Sequence, residues 1–123
     1  MFLFNLDCDH LMRKIEAIVR NSKLFDIQEA LHEIGIPTFS TYEVKIGGIH
    51  PGHSTWRHKH TKSSDFLPKT KIEILCGDQD EQKIVETLSS AAHTGETGDG
   101  IVFVYPIDQV HKIKTGDTDE SAI

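Results

Sequence analysis

Apolar positions along the chain repeat with two different periods, and the switches between them mark its elements. In residues 14–20, Ile15, Ala17 and Val19 alternate with mostly polar neighbours, the two-residue period of a half-buried strand. In residues 24–34 the apolar Leu24, Ile27, Leu31 and Ile34 fall at helical spacing, and Gly35 supplies the stop. Residues 39–46 alternate again, with Tyr42, Val44 and Ile46 on one side, and residues 71–76 repeat the signal through Ile72, Ile74 and Cys76. A second helical pattern places Ile84, Val85, Leu88 and Ala92 on one face, with Asp78 or Asp80 positioned to cap its start. Residues 101–105 form a continuous β-branched and aromatic run that predicts a fully buried strand ended by Pro106.

The order is strand, helix, strand, long connection, strand, helix, strand. Both halves open on the same triplet, Lys14-Ile15-Glu16 and Lys71-Ile72-Glu73, so the plan is a doubled βαβ unit of the α+β class. Such a plan predicts an antiparallel sheet with two helices on one face. The other face is expected to be apolar, through residues such as Ile18, and a bare apolar sheet face predicts oligomerisation.

At 123 residues the chain fits one domain. Its 13 Lys and Arg against 19 Asp and Glu give a net charge of −6, which repels phosphate backbones and anionic lipid and excludes nucleic acid as the main partner. The apolar Met1-Phe2-Leu3-Phe4 lacks a basic leader, Asp7 and Asp9 follow, and no segment approaches membrane-spanning length. A cytoplasmic protein without direct membrane insertion is expected. Cys8 and Cys76 are the two cysteines, so no disulfide framework is expected.

The connection over residues 47–65 shows neither period, and a loop of this length in a small domain is functional or disordered. Against the acidic whole, it gathers Arg57, Lys59 and Lys62, four of the eight histidines and the one tryptophan. One expectation is a contact arm, in which Trp56 anchors on a protein client while Arg57, Lys59 and Lys62 steer it to an acidic surface. Another is a metal site, since His50-x-x-His53 and His58-x-His60 offer imidazoles able to share a zinc, copper or nickel ion. The third is a plain solvated loop.

Residues 94–100 (TGETGDG) lie between the second helix and the last strand, where glycines let backbone N–H groups converge on an anion. No Lys-Ser/Thr follows, so this is not a Walker motif. Shortly after the last strand, His111, Lys112 and Lys114 alternate as cations positioned to face a phosphate from an adjoining subunit, or to line a solvated edge. No carboxylate pair, serine–histidine set or cysteine nucleophile stands at a catalytic spacing, and an enzyme is not expected.

The blocks KIEAIVR (14–20), EALHEIG (29–35), DFLPK followed by KIEI (65–74), TGETGDG and Lys114-Thr115-Gly116, with the loop length between them, resemble the PII nitrogen-regulatory family. The resemblance covers a PII-like domain at residues 13–123, with residues 1–12 as an N-terminal extension. It implies a ferredoxin-like βαββαβ sandwich with a long T-loop between strands 2 and 3. It also implies a homotrimer that binds ATP or ADP in intersubunit clefts, with 2-oxoglutarate joining Mg-ATP, and that regulates a partner transporter, enzyme or regulator through the loop.

Carried over by position, Ser40, Gly48, Gly98, Asp99 and Gly100 match nucleotide-cleft positions, and Lys112 and Lys114 replace the two arginines usual in the tail, keeping charge without the bidentate fork. Lys69 keeps the lysine associated with 2-oxoglutarate. His50 stands in place of the glutamine associated with Mg and 2-oxoglutarate. Ile101 and Ile49 replace a phosphate-contacting lysine and a loop arginine, which implies weaker ATP binding and a preference for ADP or AMP. Lys62 occupies the position of the uridylylated tyrosine, so that modification is not expected. A trimeric metal-binding protein using the loop histidines, with a weakened nucleotide cleft, is the alternative.

Overall fold

A computed structural model describes residues 11–48 and 66–123. Its elements are β1 (Met12–Val19), α1 (Leu24–Glu33), β2 (Ser40–Gly47), β3 (Phe66–Gly77), α2 (Glu81–Ala92) and β4 (Ile101–Ile107). Short 3₁₀ turns at Asn21–Lys23 and Asp78–Asp80 lead into the two helices, and another closes the chain at Asp119–Ala122. Every strand pairing is antiparallel, in the order β2-β3-β1-β4. This is the ferredoxin-like arrangement expected from the doubled plan.

The alternation in β1 and β3 turns Ile15, Ala17, Val19, Ile72, Ile74 and Cys76 to one side, where they pack with Ile27 and Leu31 of α1 and Ile84, Leu88 and Ala92 of α2. The stop at Gly35 is a Schellman turn: the Ile36 N–H reaches the Leu31 carbonyl at 2.9 Å and the Gly35 N–H the His32 carbonyl at 3.0 Å, with Gly35 at φ 86°. Asp80 occupies the position before α2 but makes no side-chain capping bond, because its backbone is already helical (φ −96°, ψ −5°). Asp78, Asp80 and Glu81 instead place negative charge near the positive end of that helix.

Three expectations are corrected. β3 begins five residues earlier than its apolar alternation indicates and runs through Pro68. Pro68 lies beyond Thr70, the last β3 residue paired with β1, where β3 has become an edge that tolerates a missing N–H. β4 runs on through Pro106 to Ile107, and it is not buried on both faces: it is one of the sheet's two outer strands, with Ile101, Val104 and Tyr105 exposed. The face opposite the helices is not simply apolar either. The two Lys-Ile-Glu triplets turn Lys14, Glu16, Lys71 and Glu73 onto it, beside Ile18 and Leu75.

Candidate ligand site at the glycine turn

The turn over residues 94–100 is built around Asp99. Its carboxylate accepts bonds from the Thr94 N–H (2.8 Å), the Gly95 N–H (2.9 Å) and the Thr94 hydroxyl. The Arg20 guanidinium stands 3.5 Å away. Hydrogen bonds from the Thr94 hydroxyl and the Thr94 and Gly95 N–H groups, against a smaller opposing effect of burial and with help from Arg20, hold this carboxyl well below the usual carboxylate range. Gly100 then carries the chain into β4 at φ 100°, where a Cβ would run into the Ile18 carbonyl. Only glycine fits there.

Two cations are fastened to the same turn. Arg20, in extended backbone directly after β1, donates to the Thr97 carbonyl at 2.8 Å, and Lys69 of β3 donates from Nζ to the Gly98 carbonyl at 2.8 Å. Burial, then the neighbouring Arg20 charge, lowers the Lys69 ammonium below its ordinary value, with Asp99 partly opposing. Lys69 also borders an open cavity of about 530 Å³ shared with Asn21, Tyr42, Val44 and Thr70, and the Thr70 hydroxyl is fixed to the Asn21 side-chain oxygen at 2.7 Å. A cavity of this size lined by Lys69 and Lys45 suits a small polyanion.

Of the residues singled out in the sequence, Gly98, Asp99, Gly100 and Lys69 meet here. Ser40 does not: it pairs with Glu73, four residues along β2 from Val44, the partner of Lys69, which is about 13 Å at strand spacing. Lys112 and Lys114 lie in an exposed tail beyond the far end of β4, folded on itself by the Lys112 N–H to Asp117 carbonyl bond (2.8 Å) and by pairing of His111 with Thr118. Within one chain they do not approach the glycine turn. Gly48 follows β2 and is exposed. The loop residues Ile49, His50, His53, Trp56, Arg57, His58, Lys59, His60 and Lys62 lie outside the described residues. Among the described residues no group of three or more His, Cys, Asp or Glu side chains is placed to hold a metal.

The family model described as nitrogen regulatory protein P-II matches residues 12–117. The chain belongs to the P-II family. This P-II chain is 42% identical over 112 residues to the nitrogen regulatory protein P-II of Azospirillum brasilense, covering 91% of this chain and all of that one. Nitrogen regulatory protein P-II 1 of Escherichia coli K12 gives the same figures, and the Pasteurella multocida protein is 39% identical over the same length. Among solved structures, Arabidopsis thaliana PII bound to citrate superposes with a TM-score of 0.75 at 30% identity, covering 92% of each chain. P-II proteins are signal-transduction regulators rather than enzymes, in keeping with the lack of a catalytic spacing in the sequence. Among the described residues no helix is long and apolar enough to cross a membrane.

Sequence reasoning missed Arg20 and Thr94. Arg20 closes the first strand's motif without any local pattern that marks it as a site residue, and its partner Thr97 lies 77 positions away. Thr94 was recoverable, since a Thr five residues before an Asp in a glycine-rich stretch is suited to bridge the turn through side-chain bonds.

Proposed function

We propose that this P-II protein is a cytoplasmic, homotrimeric signalling subunit that takes an adenine nucleotide together with a small dicarboxylate such as 2-oxoglutarate at the glycine turn. It would pass the occupancy of that site to a protein client, a transporter, enzyme or regulator of nitrogen metabolism, through the connection between β2 and β3. The observation that carries this reading is the pair of cations, Arg20 and Lys69, bonded to consecutive carbonyls of the turn, with Lys69 also lining an open cavity. Citrate bound to the Arabidopsis PII supports a carboxylate ligand on this scaffold. Lys112 and Lys114, remote from the turn in their own chain, would reach it from a neighbouring copy.

Ile101, 60% exposed at the start of β4, gives the cleft no cation where the family resemblance expects a lysine. Each absent charge-assisted contact weakens phosphate binding by about 1.5–3 kcal/mol, so ADP or AMP is expected to compete well with ATP. Calorimetric titration with ADP and with Mg-ATP, the latter with and without 2-oxoglutarate, tests the site. Binding at one equivalent per chain supports it, and no heat with any of them overturns it.

The second reading is a metal-binding trimer. The four histidines His50, His53, His58 and His60 within a short span favour it, with zinc, copper or nickel as the ion. Unchanged metal stoichiometry in the variant with all four replaced by alanine would remove it.

A further inference from the structure

One strained residue holds the C-terminal tail together. Asp119 has φ 53°, and among the described residues it is the only one other than glycine in the left-handed region. Its N–H donates to the Val110 carbonyl at 2.8 Å, and its carboxylate accepts from the Val110 N–H at 3.3 Å. Both backbone groups of Val110 are thus bonded to Asp119. Glycine would take this φ without strain but has no side chain to offer Val110. Aspartate supplies the acceptor and tolerates the conformation at a modest cost.

This clamp closes a hairpin. His111 pairs with Thr118 just inside it, the Lys112 N–H reaches the Asp117 carbonyl at 2.8 Å, and the Gly116 N–H reaches the Lys112 carbonyl at 2.8 Å. Lys112 and Lys114 belong to the loop so closed, and both are exposed, whereas Val110 and Asp119 at its base are half-buried. Directly after Asp119, the Glu120 carboxylate accepts from the Gln79 side chain, which ties the chain end to the junction of β3 and α2. Asp119 therefore stands where the hairpin returns and the anchored end begins. Its positive φ makes the change of direction between them.

We propose that Asp119 is a positioning residue for the nucleotide site: by closing the hairpin it holds Lys112 and Lys114 where they meet the phosphates of a nucleotide bound at the glycine turn of a neighbouring copy. The proposal rests on the nucleotide-binding reading above and adds to it the residue that sets the two cations. A lysine is a point charge on a flexible stem and lacks the fork of arginine, so its aim depends on how firmly its backbone is held. Ordering the loop before the ligand arrives removes that cost from binding. Asp119 acts through the hairpin alone, because its carboxylate is bonded to Val110 and would repel a phosphate.

The test is calorimetric titration of the full chain with ADP, for the parent, for Asp119→Ala, for Lys112→Met with Lys114→Met, and for the variant carrying all of these changes. Thermal unfolding and sedimentation velocity serve as controls for folding and assembly. Asp119→Ala is expected to weaken ADP binding about tenfold and the lysine pair about tenfold or more, while the combined variant binds no more weakly than the lysine pair, because cations already absent cannot be misplaced. Asp119→Asn keeps an oxygen acceptor and the tolerance of positive φ, and should bind within about twofold of the parent. Asp119→Ala or the lysine pair binding like the parent, or a combined variant weaker than the lysine pair by the whole Asp119 factor, overturns the proposal and leaves nucleotide binding standing. A parent that binds neither ADP nor Mg-ATP overturns the reading beneath it and the proposal as well; where only Mg-ATP binds, the same cycle is read with it. Should Asp119→Ala fail to fold, Asp119→Gly repeats the cycle, since glycine keeps the conformation and lacks only the carboxylate.

Discussion

Arg20 and Asp99 stand 3.5 Å apart and join the end of the first strand to the turn that opens the last. The guanidinium also holds the Thr97 carbonyl, so one side chain fixes two points of the turn, while Asp99 gathers its other side through Thr94 and Gly95. The conformation of the glycine turn is therefore set by a contact between segments far apart in sequence.

Acid should loosen this turn. The folded Asp99 carboxyl lies well below its unfolded value of about 3.9, so its contribution is complete above that value and is lost as pH falls from there through the folded value. Asp99→Asn removes that dependence. Urea midpoints measured from neutrality to acid should fall less steeply for the variant, and parallel curves would contradict the role given to Asp99.

Gly100→Ala should destabilise by about 1–3 kcal/mol or more, because φ 100° is strained for alanine and the methyl meets the backbone carbonyl of Ile18, which cannot rotate away. Thermal unfolding checks this. A variant as stable as the parent would mean that the close approach of β4 to β1 is not maintained.

Arg20→Gln and Lys69→Gln should each weaken anion binding at the turn about tenfold or more, the scale of one charge-assisted hydrogen bond. Competition calorimetry with 2-oxoglutarate in the presence of Mg-ATP reads the loss. If only Lys69→Gln has an effect, Arg20 serves the turn's conformation and not the ligand.

Cys76 should be inert. Burial, followed by the fields of Asp80 and Glu81 and only partly offset by Arg13, pushes its thiol up to about 11. In a Cys8→Ser variant at mildly alkaline pH, a thiol reagent should react only as the protein unfolds, and rapid labelling of the native state would contradict the packing of β3 against α2.

Leu31→Ala removes a side chain with no exposed surface from the core cluster that α1 shares with α2, β1 and β3. A loss of about 2–5 kcal/mol in urea unfolding is expected.

Much of this was legible in the sequence because periodicity reports local geometry directly. The alternation of Ile15, Ala17 and Val19 and the helical spacing of Leu24, Ile27 and Leu31 each describe one element's buried face, and Gly35 ends its helix through bonds made within a few residues. The glycine-rich stretch was legible as a turn, but its closure by Thr94 and Gly95 on the chain's own Asp99 was not. Residues 101–105 misled because an apolar run states that a strand prefers cover without stating which element supplies it. In one chain β4 is an edge, and its apolar groups remain in the open.

By itself, then, the sequence determined the order and type of the elements, the two core-facing stripes and the place of the glycine-rich turn. Only the tertiary structure decided that Lys69 and Arg20 converge on that turn, that Lys112 and Lys114 stay away from it, and that two distant Lys-Ile-Glu triplets close into one ring of charge. Those relationships depend on strand order and register, which arise from the packing of whole elements against each other and leave no periodic trace in any single segment.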